Sequence, residues 1–478
     1  MVAVAGGRVR LMAAMRTRFV NLRIPARDNA TEAVELVVED GRFVEILPAG
    51  EDTAVGDEQW IDLGGALVLP GAIDAHVHFD DPGFTHREDF ASGTAAAAAG
   101  GVTCVADMPC TSLPPITDTE ALERKLEVIA AKAHVDYLLW GGVSANAMEK
   151  AGWGDILADL VDAGVAAVKV YALSGMDTFR DLSYAQIREV LQRTRRLGVP
   201  VGVHAEDRNI VRQFTERARL RGEDSPAAYA ASRPCEAEAS AVTAVVEACR
   251  ATGARVHVVH LAAGEALDII SAARFEGLPV SAETCPHYLE FTLRDFERMG
   301  SLLKTAPVVK SAADRERLWQ GVVNGEISFV ATDHAAARWP EEKETGSIWT
   351  DYGGVPGVEL MLPYLYSEGF CAARITLQRL VEITASEPAR FLGIDHRKGR
   401  LHSGCDADFV VFDEQARWTV RSEHLHNLNR YTPLEARELT GRVRATYLRG
   451  RCIFERRPDG TEFFSPAGTG EWIRRGLA

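Results

Sequence analysis

His76 and His78 close the apolar run Leu67-Val68-Leu69-Pro70-Gly71-Ala72-Ile73-Asp74-Ala75-His76-Val77-His78. Alternate residues of a strand share a face, so the two imidazoles would lie side by side, roughly 7 Å apart at their Cα atoms. Imidazole nitrogens at that spacing can converge on one metal ion. Hydrogen-bonded core histidines are the plainer alternative, and on this pair alone the two readings balance. An apolar run that ends in two same-face histidines has the form of a barrel strand delivering ligands at its C-terminal end.

Lys169 tips the balance. It stands in Val165-Ala166-Ala167-Val168-Lys169-Val170-Tyr171-Ala172-Leu173, which reads as a buried parallel strand. Only 8 of the 53 Lys and Arg residues are lysine, so its appearance there is unusual for this chain. Desolvation lowers a lysine's pKa and exposes a nucleophilic amine. Such an amine can take up carbon dioxide as a carbamate, whose two oxygens could bridge two cations. A lysine paired with a carboxylate is the bland alternative. Three further residues each end a strand-like run: His204 after Val199-Pro200-Val201-Gly202-Val203, His260 after Val256-His257-Val258-Val259, and Asp333 after Ile327-Ser328-Phe329-Val330-Ala331-Thr332. These runs alternate with helical stretches, so successive βα units would place one ligand each at the same end of a sheet.

The order His-x-His, Lys, His, His, Asp resembles the amidohydrolase superfamily, in its cyclic-amidase branch of dihydroorotases, hydantoinases and allantoinases. Gly100-Gly101-Val102-Thr103 with Asp107-Met108-Pro109, Glu283-Thr284-Cys285-Pro286-His287-Tyr288-Leu289 and Thr332-Asp333-His334 carry the likeness further. It runs from about Val37 to the C-terminus. The resemblance implies a (β/α)8 barrel with two divalent metal ions. His76, His78 and Asp333 would hold one ion, His204 and His260 the other, and a carboxylated Lys169 would bridge them. Zinc is expected first, with manganese, cobalt or iron as alternatives. Two cations sharing a bridge would acidify a shared water toward about 7, and Asp333 would be the general base. No Gly-x-Ser-x-Gly elbow is present to support a serine nucleophile. A metal-free scaffold homologue is the reading from another class, and retention of all six ligand positions argues against it.

The elements that must position these groups are legible in outline. The fold class is α/β: a (β/α)8 barrel over residues 71–395, with a small β-sandwich domain built from residues 1–70 and 396–478. Arg18 to Ile24 and Val34 to Leu47, the latter with a hairpin turn at Asp40-Gly41, read as strands. Ala407 to Asp413 and Val443 to Phe454 read the same way. Each set needs a partner to bury its apolar face, and the two termini would supply it to each other. Ala91 to Ala99 and Ala237 to Thr252 are alanine-rich helical stretches.

A net charge of -15 argues against nucleic acid or anionic membranes as partners. No apolar stretch is long enough to span a bilayer. The 8 scattered cysteines read mostly as small core residues in a reducing compartment. A cytoplasmic enzyme, assembled as a homo-oligomer (dimer or tetramer) and acting on a small cyclic ureide or amide, is expected. Met1 to Arg27 holds six arginines and no acid. With no serine and with Gly6-Gly7, it reads as a poorly ordered extension with Met12 or Met15 as alternative starts.

Specificity rests on absences. Dihydroorotases clamp a substrate carboxylate with an Arg two positions after His-x-His, an Asn after Met-Pro and a His four positions after the Asp. Here those positions hold Asp80, Cys110 and Ala337. Losing three charge-assisted contacts removes several kcal/mol of recognition. Allantoinases resemble the chain better, in Met108-Pro109-Cys110-Thr111-Ser112-Leu113-Pro114-Pro115, Tyr229 to Pro234, Gly346 to Trp349, Gly353 to Gly357, Tyr431-Thr432-Pro433 and Gly468 to Trp472. Ser174-Gly175-Met176-Asp177 follows Lys169 where allantoinases carry a similar loop. Departures are Cys110, Ala335-Ala336 in place of the usual proline-containing stretch, and Lys304 to Lys310, around Ala306, in place of a Pro-Pro-x-Arg form. Asp80, Cys110, Ser174, Ala306 and Ala337 are thus the candidate substrate-side positions. Allantoin is the expected substrate, with hydantoins, dihydropyrimidines or dihydroorotate as alternatives.

Overall fold

The computed structural model describes residues 16–50 and 58–476. Of the expected extension from Met1 to Arg27, residues 1–15 with the alternative starts lie outside the described residues, whereas its last part is ordered as a strand. Strands β1 (Thr17–Pro25), β2 (Thr31–Glu39), β3 (Arg42–Pro48) and β4 (Gln59–Pro70) open the chain. The β2–β3 hairpin turns on Asp40 (φ 51) and Gly41 (φ 78), both left-handed as a two-residue primed turn requires. The arginines of this region are held within the sheet. Arg16 pairs with Glu39, Glu45 and Glu58, and buried Arg18 with Glu35 and Glu58.

Gly71 then separates β4 from β5 (Ala72–Val77), so the single apolar run from Leu67 to His78 becomes two strands in different sheets. A Cβ on Gly71 would fall 2.2 Å from Thr103 Oγ1. The chain makes this close pass against β6 (Val102–Asp107) because glycine leaves room for it. Next come β7 (Asp136–Leu139) and β8 (Gly141–Gly142), which are one strand interrupted at Trp140. β9 (Val168–Tyr171), β10 (Val201–His204), β11 (Val256–Val258), β12 (Val280–Thr284) and β13 (Phe329–Val330) complete the set. Neighbours pair in parallel from β5 to β7 and from β8 to β13. The ring closes where His78 N–H donates to the His334 carbonyl, 2.8 Å away. With β7 and β8 taken together this is a (β/α)8 barrel.

Helices fill the crossovers, including the two alanine-rich ones at Phe90–Ala99 and Cys235–Thr252. The first starts at a reciprocal cap between Asp89 and Ser92. Short barrel strands with every residue buried on β9 and β10 explain the near-continuous valine runs.

After the barrel, β14 (Phe409–Thr419), β15 (Glu438–Leu448), β16 (Arg451–Arg456) and β17 (Glu462–Phe464) return to the first four strands. The run from Val443 to Phe454 is split by a turn at Arg449 (φ 49) and Gly450 (φ 72). All eight form one sheet in the order β17-β16-β15-β14-β4-β1-β2-β3. Three strands separate β14 from β3, which on a flat sheet would be roughly 19 Å. Yet the Phe43 and Phe409 rings lie 6.1 Å apart, so the sheet rolls over until its two parts face each other. Phe19, Phe43, Phe409 and Val411 fill the sandwiched interior. The two termini do supply each other's partner surface.

Candidate metal centre

His76 sits on β5, and His78 lies one residue past its end. Their Nε2 atoms each lie 3.1 Å from the same oxygen of Asp333, Oδ1. His76 Nε2 is buried and makes no hydrogen bond of acceptable geometry among the described residues, although the carboxylate oxygen is near. Two nitrogens and an oxygen gathered this closely form a group able to hold a metal ion. Burial disfavours the Asp333 carboxylate, but His76 and His78 outweigh it and keep the group ionised.

A second cluster adjoins the first. His204 Nδ1 and His260 Nε2 face each other at 3.0 Å, and the rings of His76 and His260 are 5.5 Å apart. Lys169 is fully buried, with its Nζ lacking any hydrogen-bond partner among the described residues. Burial lowers its pKa despite the carboxylates of Asp333 and Glu283 nearby. The carboxylate-paired alternative for Lys169 is not realised among the described residues, and its Nζ stands over the Tyr171 ring at 4.9 Å. An uncharged amine without a partner is what carbamate formation requires. The orphaned Lys169 Nζ and His76 Nε2 fit a pair of cations with a bridging carbamate. His260 (φ 42) and Asp333 (φ 49) both take the left-handed backbone region that non-glycine residues avoid. Such strain persists where the surroundings over-determine it, and here it turns two ligand-type side chains inward.

The residues that orient these groups went unassigned in the sequence, though several stand in its quoted motifs. Glu283 accepts from His76 Nδ1 and lies 3.1 Å from His257 Nε2. Burial opposes its ionisation, but the two histidines hold it down to about 2. Glu206 accepts from His204 Nε2 at 3.0 Å and is itself gripped by Arg233. Fixing the outer nitrogen as the N–H leaves the inner one as a lone pair, ready to ligate. Asp74 accepts from the N–H groups of His76 and Thr332, stapling β5 to the Asp333 segment. His334 Nδ1 accepts from Gly357 and Val358 N–H, which leaves Nε2–H for Glu88 at 3.3 Å.

The substrate-side candidates divide. Cys110 Sγ is 3.8 Å from His78 Nδ1 and 3.1 Å from the Tyr171 hydroxyl, so it stands beside the cluster. Asp80 is fully buried, and burial against the pull of His78 raises its carboxyl to about 8. As a carboxyl group it offers no cation to a substrate carboxylate. The Ser174 hydroxyl is committed to the Phe179 carbonyl and accepts from Met176 N–H. Ala337 is buried and donates its N–H to the Tyr431 hydroxyl. Ala306 is half-buried beside Thr305, whose carbonyl accepts from the Tyr229 hydroxyl.

The model of the amidohydrolase family matches residues 67–453. The chain is 37% identical to an allantoinase of Rubrobacter xylanophilus over 438 residues, 91% of this chain and 93% of the relative. It is 34% identical to an allantoinase of Deinococcus radiodurans, covering 88% and 91% of the two chains. Among solved structures, an L-hydantoinase (dihydropyrimidinase) from Arthrobacter aurescens superposes with a TM-score of 0.90 at 30% identity, over 96% of this chain and 99% of that one. A dihydropyrimidinase from Brevibacillus agri gives 0.88 at 29% identity, over 96% and 99%.

Proposed function

We propose that this chain, which belongs to the amidohydrolase family and hydrolyses C–N bonds of cyclic amides, opens the ring of allantoin to give allantoate. The observation that carries the reading is the gathering of His76, His78, Lys169, His204, His260 and Asp333 from five strands or their ends, with Lys169 Nζ buried and without a hydrogen-bond partner among the described residues. His76, His78 and Asp333 would hold one divalent ion, His204 and His260 a second, and carboxylated Lys169 both. When bound, such ions supply Lewis acidity and acidify water toward about 7. Asp333 keeps more solvent exposure than His76 or His78. Its carboxylate accepts the proton of the attacking water and passes it to the departing ring nitrogen, while the carbonyl carbon becomes a carboxylate. Glu283 and Glu206 hold the outer imidazole nitrogens of His76 and His204 as the N–H and so orient the inner ones toward the ions.

Allantoin is neutral around its ring and carries a ureido arm with no carboxylate. A pocket with Asp80, Cys110 and Ala337 lacks the cation and donors that an anionic ring would need. The likeness to chains named allantoinase supports the same choice. Hydantoins form the second reading, favoured by the superposition on hydantoinase structures and by the departures at Cys110 and Lys304 to Lys310. Hydrolysis of allantoin, hydantoins, dihydrouracil and dihydroorotate by one metallated preparation tests the proposal. We expect kcat/KM for allantoin to exceed that for dihydroorotate by at least about a hundredfold, or about 2.7 kcal/mol. Efficient cleavage of dihydroorotate would refute the carboxylate argument. Failure on allantoin with turnover of hydantoins would replace the substrate and leave the chemistry.

A further inference from the structure

Outside the barrel mouth, a cavity of about 390 Å³ opens beside β15 and β16, walled by the segment 423–430. Arg430, Arg442, Arg456 and His426 line it against Glu423 and Glu462. Most of these charges are already engaged. Arg456 binds Glu462 through Nε and the Val443 carbonyl through Nη1. His426 sits between Glu359 and Glu462; burial lowers its pKa, but the two carboxylates win and raise it to about 9. Arg430, exposed, gives one N–H to the Glu423 carbonyl.

Arg442 is the exception. Its guanidinium lies 4.6 Å from the centre of the Trp418 ring, within cation–π range. Its Nε is buried with no hydrogen-bond partner, and it makes no ion pair among the described residues. Burial, together with the neighbouring charge of Arg456, lowers its pKa to about 10. A buried donor on a cation is costly to leave unsatisfied, and a like charge beside it adds to the cost. An anion arriving in the cavity offsets the like charge and meets the terminal Nη atoms, which have no hydrogen bond or ion pair among the described residues, while Nε stays closed off behind them. A planar fork held on an aromatic face matches an oxyanion's paired acceptors, which a lysine in that place would not.

We propose that this cavity is a binding site for a small molecule bearing an oxyanion, with Arg442 as its principal ligand and Arg430 and Arg456 as flanking charges. The volume exceeds that of a bare oxyanion and falls in the range of small-molecule sites. Glu423 and Glu462 at the wall would accept hydrogen bonds from the body of the same molecule. Phosphate and carboxylate groups share this chemistry, and the experiment separates them.

Calorimetric titration of the full-length metallated enzyme with inorganic phosphate, and separately with succinate, tests the site. Saturable binding of at least one of them is expected in the wild type, and whichever binds identifies the oxyanion. Arg442→Gln and Arg430→Gln should each weaken it, the former by at least about tenfold. Both variants should keep wild-type kcat/KM on the cyclic substrate, which also reports that they fold. Because Arg430 is exposed, its variant decides the matter even if Arg442→Gln does not fold. Phosphate could also bind at the metal ions, and affinity unchanged in both variants would place it there and overturn the proposal. So would the absence of saturable binding of either anion to the wild type up to about 50 mM.

Discussion

Lys169 and Asp333 carry the chemistry that separates this barrel from an inert one, and each answers to a single substitution. Lys169 Nζ is buried with no hydrogen-bond partner among the described residues, so removing it breaks no hydrogen bond in the metal-free protein. Lys169→Ala should therefore fold, but lose both ions and hydrolysis together. A short carboxylic acid in the medium should partly restore both, since it can occupy the vacated bridge. Elemental analysis decides: full metal content in Lys169→Ala, or one ion in the wild type, contradicts the bridged pair. Asp333→Asn keeps the shape of the side chain and removes its basicity. We expect kcat to fall by two to four orders of magnitude, the range for a lost general base. Metal content measured alongside separates weak ligation from lost proton transfer. Near-normal turnover in a fully metallated Asp333→Asn protein assigns the base elsewhere.

At the scale of elements, the ligand-type residues come from strand ends because short parallel strands present their C-terminal edges to one rim. Three of them lie beyond the strands that aim them: β5 ends at Val77, β11 at Val258 and β13 at Val330, yet the groups used are His78, His260 and Asp333. The other notable element is the junction at Gly71, where the terminal sheet hands over to the barrel. Gly71→Ala would drive a methyl group into Thr103, itself buried and branched. We expect a loss of about 1–3 kcal/mol, the usual cost of overpacking. Urea unfolding of Gly71→Ala, and of Gly71→Ala with Thr103→Ala, provides the check. Partial recovery in the double variant identifies the clash, and an undiminished midpoint in Gly71→Ala shows that the strands can separate.

For the whole molecule, the barrel and the terminal sheet are locked by a buried ionic knot. Lys398 Nζ lies 2.7 Å from Asp136 on β7, 3.1 Å from Asp406 and 2.5 Å from Asp408 beside β14. Those three carboxylates have the spacing of a metal group, but the ammonium fills the position. Arg449 also reaches Asp136, and Arg397 reaches Asp406, which leaves Asp408 dependent on Lys398 alone for an ion pair among the described residues. Lys398→Met should cost about 3–5 kcal/mol, because it strands buried charge. Equilibrium denaturation at neutral pH measures it, and a change below about 1 kcal/mol would mean that water or relaxation satisfies Asp408. We propose the boundaries 70/71 and 395/396 as the limits of the two units that this knot joins.

Residue chemistry and strand periodicity are local properties, and they determined much here. Two same-face histidines, a lysine in a valine run and polar residues closing apolar runs are readable from a few consecutive positions. They pointed to a barrel strand and to six candidate ligands, while the resemblance to the amidohydrolase superfamily implied the (β/α)8 barrel and the assignment of those ligands to two ions. The tertiary structure alone decided what lies between distant segments. His76 and Glu283 are 207 residues apart, and no spacing rule connects them. The same holds for Arg233 on Glu206 and for Lys398 among three aspartates. The boundary at 70/71 was drawn from the sequence, but its cause, Thr103 of a neighbouring strand pressed against Gly71, was hidden there. Side-chain type limits what a residue can do, whereas its partners, burial and backbone angles depend on chain that folds in from elsewhere.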